Sequence, residues 1–476
     1  MSDSLKNNNQ PIITEDAIII PRSRGKKTIE VDEELMSDIA ELVHDQAAPA
    51  LLNILTDLHP ADIADIIDHL QETEDREYVF NLLDVTAASE VLLELESSIR
   101  EGLLELLPQE RISALVGQLD SDDAADIVAE LSDFVAGRVL EEMPAEESAE
   151  VKELLRYPED SAGGIMATEV VTVNQNDTVH QAIKKIRAIA KEIEDINIIY
   201  AVDDSETLCG KLTLKDLITN SPRQRINKVM AADVISVNVM TDQEEVANLM
   251  QKYDLISIPV VGDKLELLGL ITIDDVVDVI QEEAAEDIGK MAGVTGTEVA
   301  SATVFQVMRL RLPWLLLGFV GEMLSAVVLS EFQTSLEKIV MAAFFIPIIM
   351  AMGGNAGIQS SAIVVRGLAT GEIWFGQIKQ RLIKELGVSL SNGFILSSLL
   401  TLVSTLWFGD FWFGFAIGIA LLIVVVNATV VGAVMPFILD KIKIDPAVST
   451  GPFITTTNDA LGLLIYFTSL SLIYLK

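Results

Sequence analysis

One acid sits where a polypeptide can least tolerate it. The stretch 449–475, STGPFITTTNDALGLLIYFTSLSLIYL, is almost wholly apolar or hydroxylic, yet it carries Asp459 near its middle. Roughly 20 apolar residues span a bilayer, and an unpaired Asp at the centre of such a span costs about 3 kcal/mol or more. A carboxylate placed there calls for a watery path or a cation. Thr455, Thr456, Thr457 and Asn458 add oxygens beside it, and Gly451 and Pro452 loosen the backbone just before them. That donor set suits a hard cation. The plainer alternative is a neutral Asp hydrogen-bonded to a neighbouring helix.

A second polar interruption falls in PIIMAMGGNAGIQSSAIVVRGLATGEI, from Pro347. Pro347, Gly353, Gly354 and Gly357 weaken a helix, and irregular backbone at membrane depth is tolerated only where it is buried in protein or lines a wet cavity. The segment is therefore expected to be broken, with Asn355 and Gln359 as pore-facing oxygens. Close packing of small residues against another helix is the alternative. Glu322 and Asn427 are the other polar groups at that depth and are expected to be helix contacts.

The third feature is a run of acids: Asp274, Asp275 and Asp278, then Glu282, Glu283, Glu286 and Asp287. Spacings of three and four place Asp275, Asp278 and Glu282, or Glu283, Glu286 and Asp287, on shared helix faces. Like charges so placed repel unless a cation lies between them, which makes the run a candidate divalent-ion sensor. A merely solvated helix face is the alternative.

Five apolar spans carry the membrane features, near residues 312–330, 339–365, 386–408, 411–439 and 447–475. Basic residues cluster at Arg309 and Arg311, at Arg366, Lys379, Arg381 and Lys384, and at Lys441 and Lys443, while the turn at Gly409 and Asp410 has none. The positive-inside rule then puts the N-terminal part in the cytoplasm and the C-terminus outside, in a multi-pass protein of the cytoplasmic membrane. Of 33 Lys and Arg and 72 Asp and Glu, only 10 and 9 lie from Arg309 onward, leaving 23 and 63 before it. A field that negative repels nucleic acid and anionic surfaces and attracts divalent cations. The lone Cys209 excludes an internal disulfide and a thiolate zinc cluster. No GxxxxGK[ST] loop or HExxH occurs, and all four His, at 44, 59, 69 and 180, lie before the spans, so an enzyme is not expected.

Upstream, residues 31–157 hold helical units of one shape: LHPADIADIIDHL, LDVTAASEVLLEL, LLPQERISALVGQL and LDSDDAADIVAEL, begun by Pro60, Thr86, Pro108 and Ser121. Units that cannot bury a face alone stack into an array. Asp62, Asp122 and Asp123 fall in first turns, where the helix dipole favours acids. Residues 1–30 read as a flexible leader. From 158 to 280 the order strand, helix, strand, strand, helix occurs twice, and Gly210, Thr213, Asp216 recurs as Gly269, Thr272, Asp275. This duplication resembles a pair of CBS domains.

Acidic helical repeats, a CBS pair, an acidic connecting helix at 281–310 and a five-helix membrane domain at 311–476, with RYPEDSAGGIM, TDQEEVANLMQKYD, DDVVDVIQEEAAEDI, GGNAGIQS and NDALGLLIYF in that order, resemble the MgtE family of magnesium channels. The resemblance covers nearly the whole chain from about Val31. It implies an all-α N domain, an α/β CBS pair and an all-α transmembrane bundle, assembled as a homodimer with the pore between subunits. It further implies a largely hydrated Mg²⁺ facing Asp459, with oxygens from Gly354, Asn355 and Asn458. Closure by cytoplasmic Mg²⁺ is implied through Glu90, Asp122 and Asp126 in the repeats and Asp242, Glu244 and Asp254 in the second CBS unit. At the connecting helix it adds Asp275, Asp278, Glu283, Glu286 and Asp287. The CBS cleft of family members also takes ATP, for which Lys215 and Asp216 would be the contacts here. Ile358 stands where members commonly have Asn, which opens ion preference toward Co²⁺ or Mn²⁺. A broader divalent cation transporter, a membrane-tethered Mg²⁺ or nucleotide sensor that transports nothing, and a proton- or Na⁺-coupled carrier remain as alternatives.

Overall fold

The computed structural model describes residues 33–189, 196–292, 304–370, 373, 375–449 and 451–475; the leader expected at 1–30 lies outside them. The chain divides into two compact units, one ending at Glu153 and one beginning at Leu154.

Among its described residues, the first unit is built of helices alone. Ten helices, α1 to α10, run from Glu33 to Leu154, among them α3 (Pro60–His69), α5 (Val85–Glu94), α7 (Gln109–Val116) and α8 (Ser121–Glu130). Each is short, so its stability comes from the face it buries rather than from its own length. Ile63, Ile66 and Ile67 of α3 and Val91 and Leu92 of α5 are fully or almost fully enclosed. Helices two apart pack together, α3 on α5 on α7, as stacked repeats require. Pro108 caps α7 as expected, while the other three caps fall one or two residues before Pro60, Thr86 and Ser121. His59 Nδ1 accepts from the amide of Ala61, and Asp84 Oδ1 from that of Ala87, so Asp84 rather than Thr86 starts α5. A carboxylate two residues nearer the extended Leu83 reaches the free N3 amide better than Thr86 can.

The second unit opens with two three-stranded sheets. In the first, β1 (Thr172–Asn174) pairs parallel with β2 (Ile198–Val202), which pairs antiparallel with β3 (Leu208–Thr213). The second repeats this with β4 (Val237–Asn238), β5 (Ser257–Val261) and β6 (Leu267–Thr272). Helices α11 (Val179–Ile189) and α13 (Gln243–Tyr253) are the crossovers, and both sheets carry a bulge at the same place in the second strand, before Val202 and Val261. Tyr200 Oη lies 3.2 Å from Ser257 Oγ, tying one sheet to the other. After β3 comes the six-residue α12 (Leu214–Thr219); after β6 comes α14, twenty residues from Ile273 to Ala292.

The remaining helices are α15 (Val304–Glu331), the short α16 (Gln333–Lys338), α17 (Ile346–Ala369), α18 (Ile378–Phe408), α19 (Phe411–Lys441) and α20 (Pro452–Ile473). Among the described residues, four stretches are long and apolar enough to cross a membrane: α15, residues 340–369, α18 and α19. Helix α20 adds the segment around Asp459 and begins at Pro452, after a 3-10 turn at Pro446–Ser449, rather than at Ala447. Helix α19 packs against α17, α18 and α20 and is 56% buried in its apolar window, against 6% for α15. So α19 is the central post, and α15 presents most of its apolar side chains outward. At the start of α18, Arg381 bonds Glu385 at 2.6 Å, and Ser360 of α17 donates to Glu385 at 3.1 Å, clamping the two helices.

Candidate functional site: two sets of carboxylates

The glycine segment departs from expectation. Helix α17 runs unbroken through Gly353, Gly354 and Gly357, and the irregular backbone lies before it, in a 3-10 stretch at Val340–Phe345. Pro347 falls in the first turn of α17, where its missing amide costs nothing. The glycines serve close approach instead. A Cβ at Gly432 of α19 would run into the carbonyl of Gly357, and one at Gly357 would run into the amide of Asn458. Small residues thus let α17, α19 and α20 meet backbone to backbone.

That packing sorts the four membrane positions. Asn355 is exposed on α17, and a Cβ at Gly354 would meet open space, so both face the free side of the helix. The Gly354 carbonyl belongs to an intact helical ladder, which leaves it one lone pair for a ligand or its water. Asp459 is half-buried. Asn458 is different: it is 1% exposed, wedged against Gly357, and neither atom of its amide has a hydrogen-bond partner. Expected as a pore oxygen, it is enclosed between three helices, because its neighbour Asp459 takes the open side of α20. Glu322 of α15, expected as a helix contact, shares a hydrogen bond with Asp459. Gly321 makes this meeting possible, since a Cβ there would collide with the side chain of Thr456.

The second set forms where α13 and α14 pack. Asp242 is the N-cap of α13, its Oδ1 accepting from the amide of Glu244 at 2.9 Å. Glu244, in the first turn, faces Glu283 and Asp287 of α14. Gln243 Nε2 donates to Glu283 Oε1 at 2.8 Å and fixes that carboxylate. Burial, then the charges of Glu283, Asp287, Asp242 and Asp445, push the Glu244 carboxyl up to about 7. Burial and Asp445 also raise Asp287. These carboxylates repel one another across the α13–α14 contact, although among the described residues no group of three or more acids is arranged to hold a metal ion.

Other predicted sensor residues lie elsewhere. Asp275 Oδ2 accepts from Thr272 N at 3.0 Å and Thr272 Oγ1 at 2.7 Å, so it caps α14, although burial still raises it. Asp278, raised by burial and Asp274, is exposed about a turn further on. Asp254 ends α13 in a left-handed conformation, φ 51°, about 15 Å along the helix from Glu244. Glu90 is exposed on α5, Asp122 half-buried in the first turn of α8, and Asp126 exposed one turn later. In the first sheet, Asp216 Oδ2 takes the same two bonds from Thr213, at 2.9 and 2.7 Å, which hold its carboxyl below the usual range, and Lys215 stands exposed beside it. The recurring Gly-x-x-Thr-x-x-Asp pattern is thus first a helix start.

Two contributors were invisible in sequence. Asp445, in the linker between α19 and α20, bonds Lys290 of α14 at 2.6 Å, and Lys290 bonds Glu286 at 2.9 Å. A single acid after a lysine-rich helix end reads as an ordinary turn residue, and only the fold brings it to α14.

Comparison with known proteins gives the chain's relatives. The family model described as "Divalent cation transporter" (MgtE) matches residues 346–469, the MgtE intracellular N domain model matches 58–160, and the CBS domain model matches 162–222 and 226–282. The chain is 36% identical to "Magnesium transporter MgtE" of Bacillus subtilis (strain 168), over 91% of this chain and 96% of that one. It is 35% identical to the protein of the same description from Thermus thermophilus, over 92% and 98%. A crystal structure of the cytosolic domain of the Mg²⁺ channel MgtE in complex with ATP is 37% identical and covers 52% of this chain and 100% of that one, with a TM-score of 0.49.

Proposed function

The chain belongs to the MgtE family of magnesium transporters and is not an enzyme, and from that premise we propose that it is an Mg²⁺ influx channel of the cytoplasmic membrane, shut by Mg²⁺ on its cytoplasmic side. Its N-terminus is cytoplasmic, its C-terminus outside, and the working form is a homodimer. The observation that carries this reading is the separation of the two acid sets: one half-buried carboxylate at membrane depth, and a crowded group between α13 and α14.

Mg²⁺ is reluctant to shed water and prefers one or two carboxylates plus its own hydration shell. Asp459, with Asn355 and the Gly354 carbonyl on the free faces of α20 and α17, offers that sparse set, and a twofold-related copy would double it. Glu322 sits close enough to tune it. Asn458 supports the site from behind by fixing α20 against α17.

At the cytoplasmic set, low Mg²⁺ leaves Glu244, Glu283 and Asp287 repelling one another, so α13 and α14 tend to separate. High Mg²⁺ bridges them, and the shift of α14 closes the path. Glu90, Asp122, Asp126, Asp242, Asp254, Asp275, Asp278 and Glu286 act in the same sensor. The membrane potential drives cation flux inward. ATP binds as a further ligand of the CBS pair, with Lys215 and Asp216 as its contacts. A broader divalent range is the second reading, favoured by Ile358 in the glycine segment.

The test is Mg²⁺ uptake into proteoliposomes as internal Mg²⁺ is raised. Flux that declines supports the sensor; flux indifferent to internal Mg²⁺ removes it.

A further inference from the structure

Every group that Glu244 feels is another acid, yet one cation reaches the edge of this cluster. Lys290 Nζ lies 2.6 Å from Asp445 Oδ2 and 2.9 Å from Glu286 Oε2, and its side chain is only 22% exposed. Burial opposes its charge, but the hydrogen bonds to Asp445 and Glu286 more than compensate and hold the ammonium protonated well above the usual lysine range. A point charge between two carboxylates, one on each of two elements, has the geometry of a bridging metal ion, with the difference that this cation is covalently part of α14.

The two ends of that bridge differ in what they lead to. Glu286 and Lys290 are one turn apart on α14, the helix that also carries Glu283 and Asp287. Asp445 lies in the linker to α20. Its Oδ1 accepts from the amide of Ala447 at 2.8 Å and so caps the turn Pro446–Ser449, which packs against α14, α17, α19 and α20. Moving α14 therefore pulls on the carboxylate that shapes the entry to the helix bearing Asp459.

We propose that Lys290 is a built-in counter-cation, a latch that ties the connecting helix to the α19–α20 linker and biases the pore toward closure without any bound ion. The inference rests on the gating reading above. In it, Mg²⁺ at Glu244, Glu283 and Asp287 completes a closure that the latch already favours, so the latch sets how much Mg²⁺ is required. It also offsets the repulsion between Asp445 of the linker and Glu286 of α14 when Mg²⁺ is scarce.

The test uses the full chain in proteoliposomes, with internal Mg²⁺ titrated to find the concentration that halves Mg²⁺ influx. Lys290→Met should raise that concentration roughly fivefold, the factor a good ion pair is worth, and Lys290→Arg should leave it near wild type. Lys290→Asp and Asp445→Lys should each raise it, and the two together should bring it back toward wild type. Recovery in the swap shows that the pairing, and not the fold of either variant alone, is what counts. A Lys290→Met protein that closes at the wild-type concentration, or at a lower one as if Lys290 merely blocked an ion site, would overturn the latch while leaving the gating reading intact. A wild type that never closes would overturn both.

Discussion

The acids at membrane depth and the acids between α13 and α14 are made of the same chemistry and arranged in opposite ways. In the membrane, Asp459 has one acidic neighbour, Glu322, and the surrounding polar groups are neutral. At the cytoplasmic junction, Glu244 feels Glu283, Asp287, Asp242 and Asp445 at once. A sparse site holds a hydrated cation loosely enough to pass it on. A crowded one has two states, repelling when empty and closed when bridged, which is what a switch needs. The lesson is that the number of carboxylates, more than their identity, separates a path from a sensor.

The largest way to break that contrast is to remove the carboxylate at the centre of the membrane set. Asp459→Ala should bring Mg²⁺ uptake down to that of protein-free liposomes, while its elution as a folded species in detergent stays unchanged. Removing the crowd should do the reverse. Glu283→Gln with Asp287→Asn should leave uptake at low internal Mg²⁺ intact and raise the half-closing concentration by about tenfold or more, within the usual range of coupling energies.

A third prediction concerns the helix meeting rather than charge. Gly357→Ala would drive a methyl into the Asn458 amide and should cost about 1–3 kcal/mol of stability, seen as a lower melting temperature in detergent, with flux reduced in proportion to the surviving fold. If that variant were as stable as wild type, Asn458 would not be wedged against α17.

Acidity gives a smaller effect of known sign. The Glu244 carboxyl, raised from an ordinary 4.5 to about 7, holds a proton in the crowded arrangement that it would not hold when extended. That proton's stabilisation of the ion-free junction is complete below about 4.5 and is lost as pH rises through about 7. Mg²⁺ must displace the proton. The half-closing Mg²⁺ should therefore be a few-fold higher at an internal pH of 6 than at 8, and Glu244→Gln should flatten this dependence.

Much of the fold was legible because its periods are strong. The duplicated strand and helix order, the stacked short helices and the apolar spans follow from spacing alone. The glycine segment was legible in composition and not in conformation: Gly353, Gly354 and Gly357 are consistent both with a break and with close packing, and only partners such as Gly432 and Asn458, far along the chain, decide between them. Asp459 announced itself through its cost in an apolar setting. Asn458 beside it did not reveal its direction, since adjacent helix positions point about 100° apart and the orientation of α20 is set by α15 and α17. Asp445 and Lys290 were hidden for a related reason, because each is an ordinary residue locally and becomes a pair only when α14 meets the linker.

The most direct measurement of the central claim is Mg²⁺ uptake into proteoliposomes by the wild type and by Asp459→Asn, with internal Mg²⁺ first low and then at several millimolar. The account predicts uptake by the wild type at low internal Mg²⁺, its loss at high internal Mg²⁺, and little uptake by the Asn variant at either. Undiminished flux through Asp459→Asn would contradict it and move the ion path away from α20.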